Sequence, residues 1–279
     1  MHKVIIIGGP TASGKSSIAK ELAIKENGVI INCDSMQVYD ILRVITARPS
    51  EADEKEVEHR LYGYLSPSIS CNANMWRKRA LEEIDDVISN GKLPILVGGT
   101  GMYIKSLIEG LTPIPKIPAD IRANARKRSE EEGSQALYKE ISEDDRKRLS
   151  ENDSQRICRA YEVLEATGKS MTWWNAQENV GIRDDLEFDI RIVMPEVEKL
   201  YEKCNNRFEK MIEQGALEEV KKLMAMNLDE SISAIKAIGV PEMIAYLREE
   251  ISLEEAKEKA QQSTRNYAKR QRTMFKKLI

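Results

Sequence analysis

Histidine is almost missing: His2 and His59 are the only two in 279 residues. The four cysteines, Cys33, Cys71, Cys158 and Cys204, stand far apart, and no C-x-x-C pair occurs. Neither a zinc site nor a disulfide framework is expected from such a set. Scattered thiols suit a reducing compartment, so a cytoplasmic location is expected. No apolar run is long enough to span a bilayer, and Met1-His2-Lys3 leads straight into an apolar stretch without a signal peptide. No internal repeat stands out. A basic excess is missing too: 43 Lys and Arg against 46 Asp and Glu give a net charge of −3, so no global positive field advertises nucleic acid. That average hides one exception. Arg265, Lys269, Arg270, Arg272, Lys276 and Lys277 crowd the C-terminus with no acid among them. The rest is an ordinary globular balance, 41% hydrophobic and 32% charged, in a chain long enough for one large domain or a core with an inserted subdomain. Nothing in it demands a partner chain, so a monomer is expected.

The chain does hold Gly9-Pro10-Thr11-Ala12-Ser13-Gly14-Lys15-Ser16, which fits G-x-x-x-x-G-K-[ST], the phosphate-binding P-loop. Val4-Ile5-Ile6-Ile7 before it reads as a buried strand, and residues 17–24 after it as a helix. Gly9 and Gly14 let the backbone curl so that several N–H groups point into one hollow. The helix N-terminus adds partial positive charge, Lys15 a full one, and Ser16 a hydroxyl suited to Mg²⁺. The alternative is a plain glycine-rich turn. A P-loop implies a bound di- or triphosphate without saying which.

Further strands follow at Gly28-Val29-Ile30-Ile31-Asn32-Cys33 and Leu93-Pro94-Ile95-Leu96-Val97. The first ends in Asp34. In open α/β sheets ligands bind at the carboxyl ends of strands, so Asp34 and the P-loop are expected to face one pocket. A helix cap or a solvated turn residue is the competing reading of Asp34. The other strand ends in Gly98-Gly99-Thr100-Gly101, where a P-loop ATPase would carry a Walker-B Asp for Mg²⁺. Two glycines there let backbone approach a ligand, and Thr100 can donate to it; a tight strand–helix turn would need the same residues. Residues 74–89 read as an amphipathic helix, with Trp76, Arg77, Lys78 and Arg79 as surface and packing.

Pro113, Pro115 and Pro118 make a rigid exit from the core, and residues 119–172 are helical and highly charged. We therefore expect an α/β fold with a P-loop NTPase-like parallel sheet flanked by helices. Residues 1–112 form the first part of the core, 113–185 an inserted helical subdomain, and 186–279 the return to the core. A strand near residues 188–194, a helical hairpin broken at Gly215 and a last helix opened by the capping box Ser252-Leu253-Glu254-Glu255 complete the plan.

Taken together, Gly9 to Ser16, Asp34-Ser35-Met36-Gln37-Val38-Tyr39, Thr46-Ala47-Arg48-Pro49 and Gly98-Gly99-Thr100-Gly101-Met102-Tyr103 resemble the tRNA dimethylallyltransferases. Asp153-Ser154-Gln155-Arg156-Ile157-Cys158-Arg159-Ala160 and Thr264-Arg265-Asn266-Tyr267-Ala268-Lys269-Arg270-Gln271 extend the resemblance along nearly the whole chain. It implies transfer of a dimethylallyl group from dimethylallyl diphosphate to N6 of the adenine beside the anticodon, position 37 of tRNA, with the P-loop cradling the leaving diphosphate. It implies Asp34 as general base and Thr100 as a hydroxyl beside the diphosphate. Gly9, Pro10, Thr11, Ala12, Ser13, Gly14, Lys15, Ser16 and Arg207 would bind the diphosphate, with Ser16 at Mg²⁺. Asp34, Ser35, Met36, Gln37, Thr100, Arg122, Gln155, Arg156, Ile157, Cys158 and Arg159 would meet the tRNA anticodon stem–loop, and the basic tail adds Lys269 and Arg270. The competing activity is a P-loop kinase for a small molecule or nucleotide, using ATP. The chain departs from the family pattern D-I-G-T-A-K-P, having Arg43-Val44-Ile45-Thr46-Ala47-Arg48-Pro49 instead. Gly63 stands for a usual acid, Met274 for a usual tryptophan and Val240 for a usual tyrosine.

Overall fold

The three central strands are short and apolar on both faces, and that forces a sheet covered on both sides. In the computed structural model, which describes residues 1–229 and 232–278, five strands form one sheet in the order β3-β2-β4-β1-β5. The strands are β1 (His2–Gly8), β2 (Gly28–Asn32), β3 (His59–Arg60), β4 (Leu93–Gly98) and β5 (Leu186–Ile192), and all pairings are parallel. Alternate residues feed two cores. Val4, Ile6, Val29, Ile31 and Leu96 point to one face; Ile5, Ile7, Ile30, Ile95 and Val97 point to the other.

The second face is covered by α1 (Lys15–Lys25) through Ala19 and Ala23. The first face is covered by α3 (Ala73–Ser89), α4 (Gly101–Glu109) and the C-terminal helices. Those are α10 (Val197–Glu213), α11 (Ala216–Ala225), α12 (Val240–Leu247) and α13 (Leu253–Phe275). Gly215 breaks the hairpin between α10 and α11 at φ 100°, and the Ser252–Glu255 capping box opens α13. The first part of the buried stripe of α13 is made of small residues, Ala256, Ala260, Thr264 and Ala268, which lets α10 and α12 pack close, and Gln271 and Phe275 continue it. The short helix α2 (Glu51–Glu56) follows the loop after β2.

Trp76 is buried completely, stacked on Tyr103 at 4.5 Å, and its indole N–H donates to the Asn32 carbonyl at 2.8 Å. Arg77 departs from the surface reading. It is buried, and its Nε donates to the Ser106 carbonyl at 2.7 Å, because the helix face that carries Trp76 turns it inward as well.

The chain divides into two compact units, one of residues 1–108 with 183–279 and one of residues 109–182. The second unit holds α5 (Ala119–Glu131), α6 (Ser134–Glu140), α7 (Glu143–Arg146), α8 (Ser154–Thr167) and α9 (Met171–Asn175). Its core is Ala125, Leu137, Ile141, Ile157, Ala160 and Tyr161. Arg128 on α5 binds Glu132, Glu140 and the Tyr161 hydroxyl. The buried Asp145 accepts the backbone N–H groups of Met171 and Thr172 at the start of α9.

Candidate active site

Parallel strands put all their carboxyl ends on one edge. The register pairs Gly8 with Gly98 and Asn32 with Val97, so the loops that leave β1, β2 and β4 start level with one another. Those loops carry the P-loop, Asp34 and Thr100. The P-loop takes a shape that demands its glycines. Gly14 sits at φ 92°, and a Cβ on Gly9 would lie 2.5 Å from the Val193 carbonyl oxygen. Ala12 adopts the left-handed region as well, at φ 60°, which costs a non-glycine residue about 1–2 kcal/mol.

A cavity of about 330 Å³ is lined by Thr11, Ala12, Ser13, Gly14, Lys15, Ser16 and Ser17, closed by Asp34, Gln37, Thr46 and Arg207 among others. Lys15 donates to the Pro10 carbonyl at 3.2 Å. The residue keeps some exposure, yet its ammonium is shut in by protein. Burial pushes its pKa down to about 8, with the Asp34 carboxylate pulling it back up and Arg207 pushing it down further. Arg207, on α10, donates from Nη2 to the Thr11 hydroxyl at 2.6 Å. Burial lowers its pKa as well, and its Nε is a buried donor without a protein partner. Ser13 Oγ is buried without a protein partner too. Two buried orphan polar atoms in one cationic hollow fit a phosphate ligand, since an anion would satisfy both.

A second cavity, about 260 Å³, adjoins the first and shares Thr11, Asp34, Thr46 and Arg207 with it. Its other walls are mostly apolar: Met36, Ile45, Cys204, Phe208, Met211 and Ile238, with Lys236, Tyr267 and Arg270 as polar members. Cys204, Arg207, Phe208 and Met211 share one face of α10, by their three- and four-residue spacing.

Asp34 is held by the loop around it. Its N–H donates to Asn32 Oδ1 at 2.8 Å, and its Oδ1 accepts the Met36 N–H at 2.9 Å. Asn32 is itself buried, donating to the Asp34 and Leu61 carbonyls. Thr100 Oγ1 accepts the Ser35 N–H at 3.0 Å, which ties the β4 loop to the Asp34 turn. Gln37 donates to the Thr46 and Ala47 carbonyls, so its side-chain amide braces the neighbouring loop. Burial pushes the Tyr267 phenol up, with Asp34 adding to the shift and hydrogen bonds to Thr100 and Gln271 opposing it.

The glycine pair at the end of β4 is also crowded by protein. A Cβ on Gly98 would strike the Cys33 carbonyl at 1.9 Å, and one on Gly99 would strike Gln271 Nε2 at 2.1 Å. Backbone crowds the first position and the end of a side chain the second.

Loop departures are absorbed locally. Arg43 pairs with Glu54 at 3.0 Å and donates to the Pro49 carbonyl. The Arg48 guanidinium fills the space that a side chain at Gly63 would take, at 2.1 Å from its ideal Cβ, and donates to the Tyr39 and Asp40 carbonyls. Met274 fills the room beside Gly101, and Val240 is wholly buried at the start of α12.

In the helical unit, Gln155 and Arg156 are exposed on the first turn of α8, and Arg122 is exposed on the first turn of α5. Cys158 and Arg159 are half-buried. Arg156 pairs with Asp153 and Arg159 with Glu162. Ile157 is a correction: its side chain is wholly buried in that unit's core, so it cannot touch RNA there. In the tail, Lys269 and Arg270 are exposed, and Arg270 lies over the Tyr267 ring. Arg265 and Arg272 are spent internally, on Asn205 and the Pro195 carbonyl.

Among the described residues, no cluster of three or more His, Cys, Asp or Glu could hold a metal by itself. A cation here would take most of its ligands from phosphate. The hard oxygen donors at hand, Ser16 and Asp34, fit Mg²⁺ on those terms. Asn32 reads from sequence only as part of a strand, and Tyr267 and Gln271 fall inside a resembling stretch that gives neither of them a role. Asn32 and Gln271 leave one signal, a polar residue on an otherwise apolar strand or helix face.

The family model described as IPP transferase matches residues 37–278. A tRNA dimethylallyltransferase of Rhodospirillum centenum is 46% identical over 279 residues, covering 99% of this chain and 89% of the relative. One from a Bradyrhizobium species is 45% identical over 278 residues, covering 99% and 90%. The crystal structure of a tRNA isopentenylpyrophosphate transferase from Bacillus halodurans aligns with TM-score 0.71 at 31% identity, over 99% of this chain and 87% of that one. A eukaryotic dimethylallyltransferase acting on tRNA aligns with TM-score 0.81 at 26% identity, over 97% of this chain and 69% of that one. With the family model matched from residue 37 to residue 278 and a relative 46% identical along 99% of its length, the chain belongs to the IPP transferase family.

Proposed function

We propose that this protein transfers a dimethylallyl group from dimethylallyl diphosphate to tRNA, at N6 of adenine 37 beside the anticodon, and releases diphosphate. The observation that carries the reading is the pair of adjoining cavities that share Thr11, Asp34, Thr46 and Arg207. One is a cationic P-loop hollow suited to a diphosphate. The other is walled by Met36, Ile45, Phe208 and Met211, which suits a five-carbon tail and a base turned out of its stack. Turning that adenine out costs roughly a few kcal/mol, offset by phosphate contacts and stacking.

The roles follow from position. Lys15, Arg207 and the P-loop N–H groups take the growing charge of the leaving diphosphate. Ser16 would hold Mg²⁺ together with diphosphate oxygens, and the ion would supply further positive charge. The adenine N6 lone pair forms a bond to C1 of the donor as the C1–O bond breaks, and the electron pair leaves on the diphosphate. The N6 proton passes to the Asp34 carboxylate, with Thr100 beside it. Arg122, Gln155, Arg156, Arg159, Lys269 and Arg270 offer charge or hydrogen bonds to the anticodon stem–loop, while Ser35 and Met36 border the apolar cavity and Gln37 the P-loop hollow. One chain carries every group the reaction uses, so the working unit is a monomer, acting in the cytoplasm. No helix among the described residues is long and apolar enough to cross a membrane.

The test is incubation with labelled dimethylallyl diphosphate and unmodified tRNA, with γ-labelled ATP as the control. Label on tRNA with release of diphosphate is the expected result. Loss of γ-phosphate from ATP without prenylated tRNA would make the protein a kinase instead.

A further inference from the structure

Gln271 lies on the last helix, yet its two ends reach two active-site loops. Its Oε1 accepts the Thr11 N–H at 2.8 Å, and its Nε2 donates to the Gly99 carbonyl at 2.8 Å. These partners lie 260 and 172 residues away in sequence. The side chain is 4% exposed, and its bond to Gly99 is made where water does not compete. Only a carboxamide carries a donor and an acceptor on one rigid fork; glutamate would lose the donor and lysine the acceptor.

Two consequences follow from this geometry. The Thr11 N–H is committed to Gln271, while the hydroxyl of the same residue accepts from Arg207 Nη2 at 2.6 Å. The other end of the fork fixes the Gly99–Thr100 backbone, and Thr100 Oγ1 holds the Ser35 N–H beside Asp34. A continuous chain of contacts therefore runs from the P-loop through Gln271 and Thr100 to the Asp34 turn. A Cβ on Gly99 would sit 2.1 Å from Gln271 Nε2, so a side chain there would push the fork aside.

We propose that Gln271 is a positioning residue that sets the spacing between the diphosphate cradle and the Asp34 side of the chamber, so that the C-terminal helix completes the active site. This rests on the reading of the P-loop as a diphosphate cradle.

Gln271→Met keeps the length and removes both polar ends. Gly99→Ala attacks the same clip from the other side: its methyl would displace the Gln271 amide, which lies 2.1 Å from the ideal Cβ, with the Gly9 carbonyl oxygen next at 3.3 Å. Four quantities are measured in the full chain: affinity for inorganic diphosphate with Mg²⁺, single-turnover prenyl transfer, affinity for tRNA, and thermal midpoint. Each variant should bind diphosphate roughly three- to tenfold more weakly, the scale of one or two neutral hydrogen bonds. Transfer should slow at saturating donor, with tRNA affinity and midpoint near wild type. The double variant should be no worse than the poorer single one, because both break one contact. Gln271→Glu should recover towards wild type as pH falls, when its protonated acid can again donate to Gly99.

Wild-type diphosphate affinity and rate in both single variants would overturn the proposal. So would additive losses in the double variant, or a parallel loss of tRNA affinity and midpoint, which would make Gln271 a general support of the fold. Should the wild type bind diphosphate through the clip yet prenylate no tRNA, the activity assigned above fails and the clip stands.

Discussion

Lys15 has two opposing neighbours, and they decide its protonation. Burial and Arg207 push its ammonium down, Asp34 pulls it up, and the outcome is about 8. A diphosphate brought beside it favours the charged form. Below pH 8 the side chain carries its proton with or without ligand. Above pH 8 the free protein has lost that proton, and binding must take one up. Affinity for inorganic diphosphate should therefore fall as pH rises beyond about 8, by up to roughly tenfold per unit. The ligand titrates too, so the measurement is the difference between wild type and Lys15→Met, followed by calorimetry from neutral to alkaline pH. Lys15→Met should bind weakly throughout, with a flatter profile; parallel profiles would show that Lys15 does not titrate against the ligand. Stability carries the complementary sign. From about 8 up to 10.5 the unfolded chain holds a proton that the folded one has released, so this group makes the empty protein more stable as pH rises through that window.

At the scale of elements, the loop after β2 is held from α11. The Glu219 carboxylate accepts the N–H groups of Arg43, Val44 and Ile45 at 3.0, 2.7 and 3.0 Å. That loop supplies Ile45 and Thr46 to the chamber. Glu219→Ala strands three partly buried donors and should cost about 1–3 kcal/mol, read as a lower urea midpoint with an unchanged slope. Glu219→Gln keeps one acceptor and should fall between; an unchanged midpoint in the alanine variant would mean that water replaces the carboxylate at no cost. This contact also marks the limit of what the sequence reveals. The P-loop, the strands around Val4–Ile7 and Leu93–Gly98, and the capped start of α13 are legible because their causes are local: glycine geometry, continuous apolar runs, a Ser–Glu box. Glu219 and Gln271 are not, because each acts on a segment more than 170 positions away in sequence. Arg48 and Gly63 look like two separate departures until the guanidinium is seen in the glycine's space. Ile157 falls inside a legible motif, but helical phase turns it into the core while Arg156 points out.

At the scale of the whole molecule, a chain of net charge −3 must bind a polyanion through local patches. The six basic residues at the C-terminus do not act alike. Arg265 and Arg272 are consumed by Asn205, Gln262 and the Pro195 carbonyl, whereas Lys269 and Arg270 are exposed. Neutralising Lys269 and Arg270 should weaken tRNA binding and flatten its salt dependence by about 0.7–0.9 in log–log slope per lost phosphate contact. Neutralising Arg265 or Arg272 should lower the unfolding midpoint and leave that slope alone. An identical slope in the Lys269 and Arg270 variants would assign those side chains to solvent. Asp34 borders the P-loop hollow and the apolar chamber alike, so in the proposed reaction both substrates would meet there. The measurement that tests this most directly is single-turnover prenyl transfer by Asp34→Asn with both substrates saturating. The substitution keeps shape and a hydrogen-bond acceptor for Met36 but cannot take the adenine proton. A positioned general base contributes about 10²–10⁴-fold, and a deprotonation that only partly limits the rate still predicts a loss of at least roughly tenfold. Diphosphate and tRNA affinities should stay near wild type. A wild-type rate, or a loss explained wholly by weaker Mg²⁺–diphosphate binding, would contradict the account.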